Sequence, residues 1–187
     1  LPEPPEDWTA VLELPGPLIF PAASSKALFT LAQYQSAGGA VQDEQGRPSL
    51  DMDALEQVLA FYRQAQERDG MPFWLTQYET DEQAWEAYRT HQSNLVETTL
   101  SNYLSAAEPA SQLSFVFTQD GEPFSLATGW VWALAAGRSN HLEDAAALAE
   151  YLVPPEFLAR WSEAAGFLPT RSSALAALVS RRLSPVM

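Results

Sequence analysis

The chain has 187 residues, of which 47% are hydrophobic and 18% charged, a composition typical of one well-packed domain or one lobe of a two-lobed protein. Its formal net charge of −14 repels phosphate backbones and anionic lipid headgroups, so neither nucleic acid nor a membrane surface is expected as a partner. The chain contains no cysteine, which excludes disulfides, thiolate metal sites and a cysteine nucleophile.

The first part of the chain predicts two helices around one short buried strand. Asp7 to Leu14 carries apolar residues at helical spacing, and the run Leu18-Ile-Phe between prolines is typical of a buried strand. Ser24 or Ser25 is expected to cap the next helix, which ends before Gly38-Gly39.

Two helices with clear start signals follow in the middle of the chain. Apolar residues from Met52 to Arg68 recur at i, i+3, i+4 and i+7, after Asp51 or Asp53 as the cap. The segment Thr80-Asp-Glu-Gln predicts a capping box for a second helix.

Three extended segments are expected beyond these helices. Leu95-Val96 begins a short one, and two longer runs, Leu113 to Thr118 and Thr128 to Ala135, are rich in aromatic and β-branched residues. Both longer runs are therefore predicted to be strands.

The last part of the chain predicts three helices. Asn140 to Val153 begins with an Asn-x-x-Glu cap, and Pro155 begins a helix that Gly166 closes in a left-handed conformation. Ser172 or Ser173 begins the last helix. The alternation of helices and extended segments predicts an α/β fold with helices packed on a mixed sheet.

The sequence gives little evidence of a catalytic site. The sequence has no GxSxG, Walker or GxGxxG motif, and its two histidines lack metal-ligand spacing, so no cofactor or metal is expected. Carboxylate pairs such as Glu79 with Asp81 lie at predicted helix starts, where acidic residues stabilise the helix dipole. A glycoside-active enzyme with two carboxylates across a cleft remains the alternative to a binding protein.

Aromatic residues give the strongest binding signal. The chain has 6 Trp, 6 Tyr and 9 Phe, and most of them follow the periodicity of a core. Four others lie at the ends of extended segments or beside glycine and small polar residues: Phe20, Tyr34, Tyr103 and Trp130. Such rings stack on the apolar faces of a sugar, with Ser101, Asn102 or Gln33 meeting its hydroxyls. Core packing is the competing interpretation for each of them.

Six segments, taken in order, resemble those of one protein family. The first three are Pro5-Glu-Asp-Trp-Thr-Ala-Val-Leu, Ala37-Gly-Gly-Ala-Val with the following turn, and Ala84-Trp-Glu-Ala-Tyr through Val96. The last three are Gly129-Trp, the Asp144 to Leu152 helix and Gly166-Phe-Leu-Pro-Thr-Arg. In this order the chain resembles the family 1 extracellular solute-binding proteins, the maltose-binding-protein-like receptors of bacterial ABC importers.

The resemblance implies a periplasmic-binding-protein-like class II fold whose two lobes close on a solute. Residues 1–118 would form the main part of the second lobe, 119–153 the crossover normally associated with the first lobe, and 154–187 the return to the second. Most of the first lobe would lie outside this sequence.

The resemblance also implies a function. The expected solute is a sugar or oligosaccharide, the expected protein partners are ABC permease subunits, and the location is the periplasm or cell surface. Membrane contact is expected only through the permease or through a lipid anchor outside this chain. Carried over by position, the ligand-binding residues are Phe20, Tyr34, Ser101, Asn102, Tyr103 and Trp130.

Overall fold

The computed structural model describes residues 4–106, 111–129, 131, 133 and 141–182. The chain forms two compact units. The first unit comprises Leu1–Thr99 with Pro109–Leu126, and the second comprises Leu100–Glu108 with Ala127–Met187.

The first unit holds the short sheet and the helices around it. Its elements, in chain order, are α1 (Trp8–Glu13), β1 (Leu18–Ile19), α2 (Leu28–Ser36), α3 (Met52–Glu67), a 3-10 helix (Phe73–Gln77), α4 (Asp81–Arg89) and β2 (Leu95–Val96). In the described residues the sheet is a parallel pair, β1 with β2, and not the predicted mixed sheet. The unit is thus rich in helix with a small parallel sheet, an arrangement compatible with the expected α/β class.

Side-chain caps fix where the helices of this unit begin. Asp7 accepts the Ala10 amide at 2.7 Å to cap α1, and Asp51, one of the two predicted candidates, caps α3. The capping box of Thr80 and Gln83 is present at α4, which confirms that prediction. The serine cap predicted for α2 is wrong: α2 begins at Leu28, after Ala27, without a side-chain cap.

The core of the first unit is built on aromatic stacking and one buried amide. The rings of Trp8 and Phe61 stack with centroids 4.8 Å apart, so α1 packs against α3. Gln33, a fully buried residue of α2, accepts the Trp8 indole N–H at 2.5 Å and donates to the Phe117 carbonyl oxygen at 3.0 Å. One side chain thereby joins α1, α2 and the extended segment that contains Phe117.

That extended segment differs from its prediction. A strand was expected over residues 113–118, but the segment makes isolated bridges, Val116 with Phe124 and Thr118 with Asp7. Leu113 and Phe115 are exposed, at 44% and 64%, so β propensity alone does not produce a ladder in the part of the segment that no layer covers. Half of the second predicted strand, 128–135, lies outside the described residues, and its described residues form no strand.

The second unit contains α5 (Leu100–Ser105), α6 (Leu142–Leu152), α7 (Pro155–Ala165) and α8 (Ser172–Arg182). α7 packs against α8, and the predicted start of α8 at Ser172 is confirmed. Gly166 ends α7 with a positive φ of 71°, as predicted. The Asn140 cap predicted for α6 lies outside the described residues, and α6 begins after His141. None of the described helices has both the length and the apolar character needed to cross a membrane.

The Gln33 amide provides a test of the core. We expect Gln33→Leu to lower the free energy of unfolding by about 2 kcal/mol or more, because the Trp8 N–H and the Phe117 carbonyl would both lose their buried partner. Urea denaturation measures this change. Gln66→Leu, at an exposed position of α3, is the matched control and should change stability by less than about 0.5 kcal/mol. Equal stability of the two variants would contradict the role given to Gln33.

Candidate functional site

Two strands of the first unit end side by side. In the parallel pair Ile19 lies opposite Val96, so Phe20 and Glu97 both follow the carboxyl ends of their strands. The Glu97 amide donates to the Ile19 carbonyl oxygen at 2.8 Å, which fixes the two positions relative to each other. Small molecules bind α/β proteins at this edge of a sheet. Our candidate, the strand-end site, consists of Phe20, Thr30, Tyr62, Asp81 and Glu97.

Aromatic rings form one side of the strand-end site. The Phe20 ring lies 4.6 Å from the ring of Phe29 on α2 and 6.2 Å from that of Tyr62 on α3, measured between centroids. The rings of Phe29 and Tyr62 are nearly parallel, with an interplanar angle of 8°. β1, α2 and α3 therefore meet in one aromatic cluster directly beside the strand ends.

The hydroxyl of Tyr62 extends this aromatic cluster with a polar group. It shares a hydrogen bond with the Thr30 hydroxyl, with 2.9 Å between the two oxygens. Burial raises the pKa of Tyr62, the Thr30 hydrogen bond lowers it, and the negative charge of Glu97 raises it further. Tyr62 is consequently a neutral hydroxyl at physiological pH, able both to donate and to accept a hydrogen bond.

Glu97 is the most perturbed carboxyl of the site. Burial, followed by the negative charge of Asp81, raises the pKa of Glu97 to about 7. Burial is also the main reason why the pKa of Asp81 is raised, and Glu82 adds to it, whereas Lys26 acts in the opposite direction. Glu97 therefore changes charge near neutral pH, a property that clusters at functional sites.

The loop after β1 contributes a second unusual feature. Ala27 has a φ of 46°, in the left-handed region that a residue with a Cβ rarely adopts. The loop is tied down by the Ala23 amide, which donates to the Tyr78 carbonyl oxygen at 3.0 Å. Backbone strain of this kind is concentrated at ligand sites and switch segments. Its position between Phe20 and α2 agrees with a functional role for the strand-end site.

Two of the residues predicted to bind ligand, Phe20 and Tyr34, lie in the first unit. Phe20 is 7% exposed and forms part of the strand-end site. Tyr34 is 4% exposed, and its hydroxyl donates to the Ala40 carbonyl oxygen at 2.8 Å and accepts the Asp51 amide at 2.6 Å. A methyl group on Gly39 would lie 2.4 Å from the Tyr34 ring. Both side chains thus have packing roles, and ligand contact by either stays a prediction.

Three of the other predicted residues lie in the second unit. Ser101, Asn102 and Tyr103 lie within α5 of the second unit and are half-buried. Trp130 lies outside the described residues. Their contact with a ligand also stays a prediction.

Sequence reasoning missed Glu97, Tyr62 and Thr30. Tyr62 lies within the apolar repeat that predicted α3, but this repeat does not show that its hydroxyl lies beside a carboxyl. The available signal was the acidic residue directly after the apolar pair Leu95-Val96, since polar residues at strand ends often face ligands. Within the described parts of the chain, no group of three or more potential metal-ligating side chains is found.

Comparison with known proteins gives one match. The model of the family described as bacterial extracellular solute-binding proteins matches residues 1–181. No curated protein and no solved structure matches the chain.

The raised pKa of Glu97 predicts a pH-dependent stability. The folded protein binds the Glu97 proton more tightly than the unfolded chain, in which this carboxyl has its ordinary pKa of 4.5. The stabilisation that comes from the bound proton is therefore lost as pH rises from about 4.5 to about 7. Glu97→Gln should therefore raise the free energy of unfolding more at pH 8 than at pH 5, by up to about 3 kcal/mol. Urea denaturation at both pH values measures the difference.

The control for this prediction is Glu56→Gln, on the exposed face of α3. It removes the same charge from the protein without altering the strand-end site. A Glu97→Gln effect that is the same at both pH values would contradict the burial of this carboxyl.

Proposed function

This chain belongs to the bacterial extracellular solute-binding protein family, and on that basis we propose that it captures a sugar or oligosaccharide for an ABC importer. Proteins of this family act in the periplasm or at the cell surface, where they bind a solute and interact with ABC transporter permeases. The sugar is the specific part of the proposal, and the strand-end site is where we propose that it contacts the first unit.

The placement of Phe20 and Glu97 at adjacent strand ends is the observation that carries this proposal. Sugars present apolar C–H faces and hydroxyl edges, so their sites combine aromatic rings with hydrogen-bonding side chains. The strand-end site offers both, because the rings of Phe20 and Tyr62 adjoin the paired hydroxyls of Tyr62 and Thr30. Glu97 adds an acceptor when ionised.

We further propose that the chain supplies much of one lobe of a class II binding fold. In this arrangement residues 1–118 form the main part of the second lobe, 119–153 the crossover and 154–187 the return. Closure of a first lobe over the strand ends would then surround the solute. The parallel pair of β1 and β2, ending at one edge, is the feature of the first unit that supports this arrangement.

We propose binding without turnover. The enzyme alternative requires two carboxylates placed across a scissile bond. Asp81 is the first residue of α4, and Glu97 directly follows β2. Since α4 and β2 contact each other, the two carboxyl residues of the strand-end site belong to neighbouring elements and not to opposite sides of a cleft. Membership of a solute-binding family also favours capture over hydrolysis.

Calorimetric titration of the full-length protein with mono- and oligosaccharides tests the proposal. We expect saturable binding to at least one sugar and no hydrolysis of chromogenic glycosides. Tyr62→Phe should weaken the affinity about fivefold or more, because it removes one hydroxyl from the strand-end site.

Tyr88→Phe is the matched control, since Tyr88 is also half-buried and its hydroxyl donates to Ser111 at 2.7 Å, outside the strand-end site. Binding of peptides with no response to any carbohydrate would overturn the sugar assignment. Glycoside turnover would favour the enzyme instead.

A further inference from the structure

A groove with a volume of about 380 Å³ lies between α1 and α3 of the first unit, and none of the residues that line it belongs to the strand-end site. Its α3 side is formed by Gln57, Ala60, Phe61 and Gln64, which recur at i, i+3, i+4 and i+7 and therefore share one face of the helix. Small-molecule sites usually have volumes of about 300–1,000 Å³, so this α1–α3 groove is large enough for a small solute.

Apolar side chains form the base of the α1–α3 groove. The rings of Trp8 and Phe61 stack with centroids 4.8 Å apart and are only 8% and 2% exposed. Leu12 of α1 is half-buried and also lines the groove. Between the two glutamines of α3 lies Ala60, whose side chain is a single methyl group. The space in the groove therefore depends on a small residue at position 60.

Three primary amides also line the groove. Two belong to α3, Gln57 and Gln64, and the third is Gln119, which directly follows the buried Thr118. Gln57 and Gln64 are two helical turns apart, about 10.5 Å along the helix axis. Within the described residues none of these three side chains makes a hydrogen bond to another protein group. Because a primary amide both donates and accepts, the groove presents both kinds of hydrogen-bonding group to a solute.

The lining of the groove favours an uncharged ligand. No charged side chain is found among the described residues that line it, although the chain has a formal net charge of −14. An ionised solute would therefore gain no ion pair in the groove. Sugars combine apolar C–H faces with hydroxyls that donate and accept, which matches an apolar base lined with amides.

An extended peptide matches the groove less well than a sugar does. Such peptides bind chiefly to free main-chain groups at the edge of a sheet, whereas α1 and α3, the two walls of this groove, are helices. A helical peptide requires a hydrophobic groove, and three amides line this one.

We infer that the α1–α3 groove is a second saccharide site, which holds an uncharged mono- or disaccharide against Trp8 and Leu12 through the amides of Gln57, Gln64 and Gln119. The inference goes beyond the proposed function, because this site shares no residue with the strand-end site. It assigns to Ala60 the role of keeping the groove open.

Nitrogen-15 NMR of the full-length protein, titrated with cellobiose, maltose and lactose, tests the inference. The side-chain amide signals of Gln57 and Gln64 and the indole signal of Trp8, each assigned from a variant lacking that side chain, report on the groove directly. We expect at least one of the disaccharides to shift these signals in a saturable manner. The uncharged peptide N-acetyl-trialanine amide serves as the comparison solute and should not shift them.

Ala60→Leu should weaken this binding about tenfold or more, because the larger side chain fills the space between the two glutamines of α3. Leucine is a good helix former, so α3 is expected to remain folded. A second variant, Gln57→Ala combined with Gln64→Ala, should also weaken the binding about tenfold or more through the loss of two hydrogen bonds, measured at the Trp8 signal. Gln66→Ala, on the same helix but outside the groove, is the matched control and should leave the binding unchanged.

Tyr62→Phe separates this inference from the proposed function, since it alters the strand-end site alone and should leave the groove signals responsive. If no sugar shifts the groove signals, or if Ala60→Leu leaves the shifts unchanged, the second site is overturned, and calorimetric sugar binding that Tyr62→Phe weakens would leave the proposed function standing. Groove shifts with the peptide and with no sugar would overturn the saccharide class. Groove shifts without any sugar binding sensitive to Tyr62→Phe would support the second site and overturn the strand-end placement.

Discussion

The parallel pairing of β1 with β2 is the constraint on which the strand-end site depends. These two-residue strands are far apart in sequence, and only their pairing brings Phe20 and Glu97 to the same edge. The pairing is anchored at the amino ends of the strands: the Leu18 amide donates to the Gly70 carbonyl oxygen, and the Ser93 hydroxyl donates to the Pro17 carbonyl oxygen. Ile19 is fully buried, so slippage of the register would expose core surface as well as separate the site residues.

A buried and a half-buried polar residue of the first unit, Gln33 and Glu97, illustrate opposite uses of polarity. Gln33 has both ends of its amide satisfied by Trp8 and Phe117, and it therefore stabilises the junction of three elements. Glu97 has a like-charged neighbour and a pKa near neutrality, so its position reduces stability when the carboxyl is ionised. Gln33 therefore serves the fold, whereas the part of Glu97 in recognition is our proposal, which agrees with the tendency of functional sites to retain groups that are unfavourable for stability.

Local signals in the sequence predicted much of the helical framework. The Thr80 capping box, the Asp51 cap and the left-handed Gly166 are encoded within a few neighbouring residues, and the structure has each of them. The cap of α2 was missed because Ala27 adopts a strained conformation that no propensity predicts. The strand expected over residues 113–118 was wrong because a ladder requires a partner strand and a covering layer, which are set by tertiary structure.

The site was less predictable than the framework for the same reason. Phe20 could be selected because it ends a short apolar run, whereas the importance of Glu97 depends on its distance from Asp81 and Tyr62, which belong to separate helices. Recognition of the family from ordered segments agrees with the match over residues 1–181, but a family pattern does not show which carboxyl lies beside a like charge.

The central claim is that the Glu97 carboxyl is partly withdrawn from water beside the like charge of Asp81. Carbon-13 NMR titration of the glutamate carboxyl groups, with the Glu97 signal assigned by comparison with Glu97→Gln, measures this most directly. The account predicts a pKa for Glu97 of about 7, well above the ordinary 4.5. A Glu97 pKa near the ordinary 4.5 would contradict the central claim.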